Sequence, residues 1–165
     1  MTIWQVLRTL ISGIIILYLQ ILLIPKIAIA GVMPNLFLGW IVYQVWRKPM
    51  SLIVPLVFFL GICYDLMMPT LLGLQTMIFI LLAVSVDEFH RPLEKDSYIT
   101  MAITLALTCV VYSLLIFMVH GIQSGFSLQL FFVFLGMIAY NLVVAAVVAA
   151  AFVFVSLLRL DIRRG

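Results

Sequence analysis

The chain has 165 residues, 67% of them hydrophobic and 9% charged, with two cysteines and a formal net charge of +3. A mean hydropathy of +1.35 is more apolar surface than a soluble domain can hide, so the composition excludes that class and specifies an integral membrane protein, which the long uncharged apolar runs make all-α. The positive excess sits at the ends of apolar runs, where it sets topology; no nucleic-acid motif accompanies it, and no nucleic acid is expected as a partner.

Residues 9–25 carry no charge and predict a first membrane span, about 26 Å long at ~1.5 Å per residue, which Pro25-Lys26 ends. Arg8, this run and Ala28-Ile-Ala30 mimic a cleavable export signal. The run of 17 exceeds the usual apolar region of such signals, and Lys26 lies before the supposed cleavage site, so a retained span is expected. A second apolar stretch runs from Ile27 to Trp46 with Pro34-Asn35 inside it, and the second span is set at about 31–46. Proline suits a first helical turn and breaks an interior, so the helix proper is expected to begin at Pro34, with 27–33 re-entrant or interfacial.

Third and fourth spans follow at about 50–64 and 70–86. The stretch from Asp87 to Asp96 is the one strongly polar segment and is expected to be a loop. Residues 97–158, 62 in all, then contain no Lys, Arg, Asp or Glu, and the turn chemistry of His120-Gly-Ile-Gln-Ser-Gly125 divides them into spans of about 98–119 and 128–157. The six spans form a single domain over 1–165 and put both termini on one side. With the termini in the cytoplasm, that side holds Arg8, Arg47, Lys48, Arg91, Lys95, Arg159, Arg163 and Arg164, and the outer side holds Lys26 alone. Such an asymmetry is what the positive-inside rule requires.

Asp65 is the only charged residue between Lys48 and Asp87, in Gly61-Ile-Cys-Tyr-Asp65-Leu66, with Pro69 and Gly73 after it. An acid in a membrane segment is costly unless it has a partner, which makes it a site candidate. It could pair with Lys26 or His120, both expected on that face, with Gly61 and Gly73 allowing close helix approach. The blander alternative, which the spacing favours, is a cap on the next helix, with Pro69 and Gly73 shaping the turn.

Pro34-Asn35-Leu36 reads first as a helix start, with Asn35 also able to bond exposed backbone or a partner chain. Asn141, Ala145, Ala149 and Phe152 share one face of the last helix, and Ala146 and Ala150 form a second pair of small residues. Such a face packs inside the chain's own bundle or against a partner's helix. Asp87, Glu88, His90 and Glu94 match no ligand spacing, and no metal is expected. Cys63 and Cys109 lie in apolar runs and read as small hydrophobes. With no nucleophile–base set or phosphate loop, neither an enzyme nor a cofactor is expected.

Small size, six helices, Pro-Asn-Leu opening the second, Gly-x3-Asp-Leu with a glycine eight residues after the aspartate, Asn141 in the sixth helix and a basic C-terminal end together resemble the MreD family of bacterial rod shape-determining membrane proteins. Met67-Met68 departs from it, where many members carry a small or polar residue. The resemblance implies a non-enzymatic scaffold in the cytoplasmic (inner) membrane, within the lateral cell-wall elongation machinery. The implied partner is MreC, and through it MreB and the RodA–transpeptidase synthase pair; a homo-oligomer is compatible with this role. It further implies a fold similar to the S-component of energy-coupling-factor transporters, from which an alternative function follows, a vitamin-binding subunit with Asp65, Asn35 or Asn141 lining a pocket. Pro34, Asn35, Gly61, Asp65, Gly73, Asn141, Ala145 and Ala149 are the residues on which partner binding or its support is expected to rest.

Overall fold

Helices form where the apolar runs predict them. In the computed structural model the described residues build six α-helices: α1 (Ile3–Leu22), α2 (Leu36–Arg47), α3 (Met50–Met67), α4 (Leu74–His90), α5 (Tyr98–Ser124) and α6 (Leu128–Ile162), with one 3-10 turn at Ile24–Ile27. The structure describes residues 3–28, 32–67, 72–90 and 98–162, and the side chains of these except at 90, 98 and 148–162. By length and composition, α1, α3, α5 and α6 contain segments able to cross a membrane. At 12 and 17 residues, α2 and α4 reach about 18 and 26 Å at ~1.5 Å per residue, against a hydrocarbon core of about 30 Å.

The shortest helix is the axis of the bundle. Each of the other five packs on α2, and nine of its residues are buried. It runs antiparallel to α1: Leu36 lies level with Gln20, and Lys48, just past its end, lies level with Thr9. The hairpins α3–α4 and α5–α6 close around it, and among the described α-helices α6 packs on α5 and α2. Phe79 of α4 centres the core, with ring centroids 4.9 Å from Phe37, 5.7 Å from Tyr64 and 6.3 Å from Tyr112. The outward faces of α1, α5 and α6 are lined with exposed large apolar side chains, as a lipid-facing surface requires.

Several boundaries differ from expectation, each for a local reason. The first helix starts at Ile3 and not at 9, because one charge, Arg8, does not stop a helix. It ends at Leu22 and not at 25, the chain passing into the 3-10 turn that carries Pro25. The second helix begins at Leu36 and not at 31 or Pro34; Asn35 is its cap and Pro34 precedes the cap. Continuing to Met67 and not to 64, α3 places Asp65 in its own last turn. On the polar segment, α4 extends through His90.

A further correction concerns α5, which runs through His120 and Gly121 to Ser124 and not to 119. Gly121 breaks nothing. A Cβ there would lie 2.1 Å from Cε1 of Phe126, so its missing side chain is the space that ring fills. The stop is Gly125, at φ +83°, a left-handed conformation that glycine adopts without strain. Ser127 then opens α6, its Oγ accepting from the Leu130 N–H at 3.1 Å.

Candidate functional site

A chain that reaches a short helix through non-helical backbone must satisfy that backbone inside the protein, because lipid offers no hydrogen bonds. The start of α2 does so with side chains from α1 and α6 and with its own cap residue. Gln20 of α1 uses both ends of its amide: Nε2 donates to the Pro34 carbonyl at 3.0 Å, and Oε1 accepts from the Leu36 N–H at 2.7 Å. Asn141 of α6 accepts from the Asn35 N–H at 2.9 Å. Asn35 itself accepts from the Phe37 N–H at 3.0 Å, an N-cap bond. Nδ2 of Asn141 donates to Ser113 Oγ at 3.3 Å, and that hydroxyl donates to the Cys109 carbonyl at 2.8 Å. Gln20, Asn35, Ser113 and Asn141 are all buried. Beside them the Tyr140 hydroxyl donates to the Ile27 carbonyl at 2.7 Å, so α6 grips the entering segment twice.

The start of α4 is held in the same manner by one residue. Asp65 Oδ1 accepts from the Gln75 N–H at 3.2 Å; Oδ2 accepts from the Thr76 N–H at 3.0 Å and the Thr76 hydroxyl at 2.5 Å. The carboxyl is 2% exposed and lies where the positive end of the α4 dipole favours it. Gly61, one turn earlier on α3, brings the helices together, since a Cβ there would stand 2.9 Å from the Thr76 Cα. The two helix starts belong to one layer of the bundle: Phe37 packs on Phe79, and the Tyr112 hydroxyl of α5 donates to Gln75 Oε1 at 3.3 Å.

Pro34, Asn35 and Asn141 are thus brought together, as are Gly61 and Asp65, in two adjoining clusters. Lys26 and His120 are not partners of Asp65 among the described residues. Gly73, at φ +87°, shapes the turn before α4 and has no atom within 4 Å of where its Cβ would be, so it serves conformation and not close approach. Ala145 is buried on the inward side of α6 with Asn141. The side chains of Ala149, Ala150 and Phe152, together with Pro69 and residues 91–97, lie outside the described residues. Sequence reasoning missed Gln20, Ser113, Gln75, Thr76 and Tyr112. Gln20 carried a signal, an uncharged amide in the otherwise apolar stretch 13–25.

Chemically, these groups spend most of their hydrogen bonds on helix ends and on each other, while Nδ2 of Asn35 is buried with no partner among the described residues. Among the described residues no three His, Cys, Asp or Glu gather as metal ligands. Because Asn141 and Ala145 turn inward, the opposite side of α6 is the one left open. There, beside Val32, lies an apolar groove of about 790 Å³ walled by Phe132, Gly136, Ala139, Tyr140 and Val143. A family model described as rod shape-determining protein MreD matches residues 2–160 of this chain. No curated protein and no solved structure matches it.

Proposed function

The chain belongs to the MreD family of rod shape-determining membrane proteins, and from that premise we propose that it is a scaffold that seats the transmembrane helix of MreC in the groove along α6. MreC in turn links it to MreB and to the RodA–transpeptidase pair in the cytoplasmic membrane. The observation that carries this reading is the groove. It is apolar, and its floor residues Gly136 and Ala139 are small enough to let a second helix approach closely. Its wall at Val32 belongs to the segment that Tyr140 and Asn141 fix in place, so the helix starts support the partner surface from behind. The face of Asn141 and Ala145 contributes to partner binding through that support. A vitamin-binding role draws less support, because the Asp65 carboxyl and the side-chain oxygens of Asn35 and Asn141 accept from backbone N–H groups, and the groove offers little polar chemistry to a solute.

Filling the groove tests the proposal. Ala139→Leu should lower co-purification of MreC several-fold and round up rod-shaped cells at normal protein level, whereas Phe58→Leu, on the exposed face of α3, should do neither. An unchanged complex and unchanged cell shape with Ala139→Leu would rule the groove out.

A further inference from the structure

At the end of the bundle opposite the Asp65 cap, α1 and the last turn of α2 enclose a polar cavity of about 450 Å³. Its walls include Arg8, Thr9, Ser12, Gln44, Arg47 and Lys48, with no acid among them. Arg8 and Arg47 make no hydrogen bond or ion pair with any described residue. Lys48 donates to the Thr9 hydroxyl, and burial, with the Arg8 charge beside it, pulls its pKa below the ordinary lysine range. Gln44 is buried; Nε2 donates to Ser12 Oγ at 3.4 Å, and Oε1 has no partner.

Topology explains basic residues at a helix end, and Arg47 in the last turn of α2 complements the helix dipole. Neither effect explains why three cations from two helices converge on one polar cavity with no acid among its described lining residues. Like charges gathered in partly buried surroundings are destabilised, and an anion between them removes the penalty. Leading away from the cavity along α1, Ile11, Ile15, Tyr18 and Leu22 follow Arg8 at helical spacing, and all are exposed. A polar anion site that opens onto an apolar stripe has the two-part chemistry of a lipid.

We propose that this cavity holds the phosphate headgroup of an anionic phospholipid, with an acyl chain lying along the exposed stripe of α1. The guanidinium forks of Arg8 and Arg47 suit phosphate oxygens, and basic pockets between membrane helices are common headgroup sites. The site is independent of the partner groove and is measurable on the purified chain alone.

Native mass spectrometry of the detergent-purified chain, titrated with dioleoyl phosphatidylglycerol or dioleoyl phosphatidylcholine, tests it. One phosphatidylglycerol per chain should be retained in preference to phosphatidylcholine. Arg8→Gln with Arg47→Gln should weaken its retention roughly fivefold per cation removed, and Lys26→Gln should leave it unchanged. Arg8→Gln alone, at a side chain that bonds to no described residue, gives the same reading if the double variant does not fold. Equal retention of the two lipids, or undiminished phosphatidylglycerol in the variants, overturns the proposal. Displacement by millimolar glycerol 1-phosphate would instead identify a soluble phosphate as the occupant, and a stoichiometric acidic polypeptide held in the lipid's place would identify a protein; both outcomes overturn it.

Discussion

Asp65 answers two needs with one carboxyl, since α4 requires acceptors for its first N–H groups and Asp65 requires donors at a buried position. Asparagine keeps an acceptor in the same place and caps helices about as well as aspartate, whereas alanine leaves the N–H groups of Gln75 and Thr76 open. Asp65→Ala should therefore cost about 2 kcal/mol, and Asp65→Asn clearly less, measured by thermal unfolding in detergent. Equal losses for the two variants would show that charge, and not acceptor geometry, is what the site needs. The capping alternative was legible from an aspartate placed just before a glycine turn. Thr76 was not, because an interior threonine on an apolar helix gives no sign that its hydroxyl faces a carboxyl 11 positions earlier.

At the level of elements, α2 is 12 residues long and is entered through extended backbone at Asn35. Its start depends on Gln20 and Asn141, contributed from 16 residues before Leu36 and 106 residues after Asn35. Asn141→Leu should leave the Asn35 N–H buried without its acceptor, a loss of about 1–3 kcal/mol. Hydrogen exchange in a peptide covering 32–40 should then accelerate while one covering 74–84 does not. Equal exchange in wild type and variant would show that Asn141 is not what holds the start of α2. Pro34-Asn35-Leu36 announced a helix start in the sequence, because proline and asparagine act on their own neighbours. Its supports could not be read there, since they depend on which helices meet. The end of α5 failed for a related reason: Gly121 looks like a stop in isolation, and only the ring of Phe126 beside it shows that it is a packing site.

For the whole molecule, charge and helix direction converge on one orientation. Successive helices pack against one another from α1 to α6, and Thr9 meeting Lys48 puts the start of α1 at the same end as the turn between α2 and α3. Arg8, Arg47 and Lys48 gather at that end, while Lys26 lies beyond the Gln20 level at the other. By the positive-inside rule the cation-rich end is expected in the cytoplasm and the Gly125–Ser127 turn outside. In a chain whose Cys63 and Cys109 are replaced by alanine, a membrane-impermeant thiol reagent added to intact cells should label Ser127→Cys. Pro49→Cys should react only after the cells are opened. Labelling of Pro49→Cys in intact cells would invert the molecule and carry the basic cavity to the outer leaflet. In that orientation the excess of Lys and Arg at that end would oppose the membrane potential instead of following it, so the labelling pattern tests the charge argument and the fold's direction together.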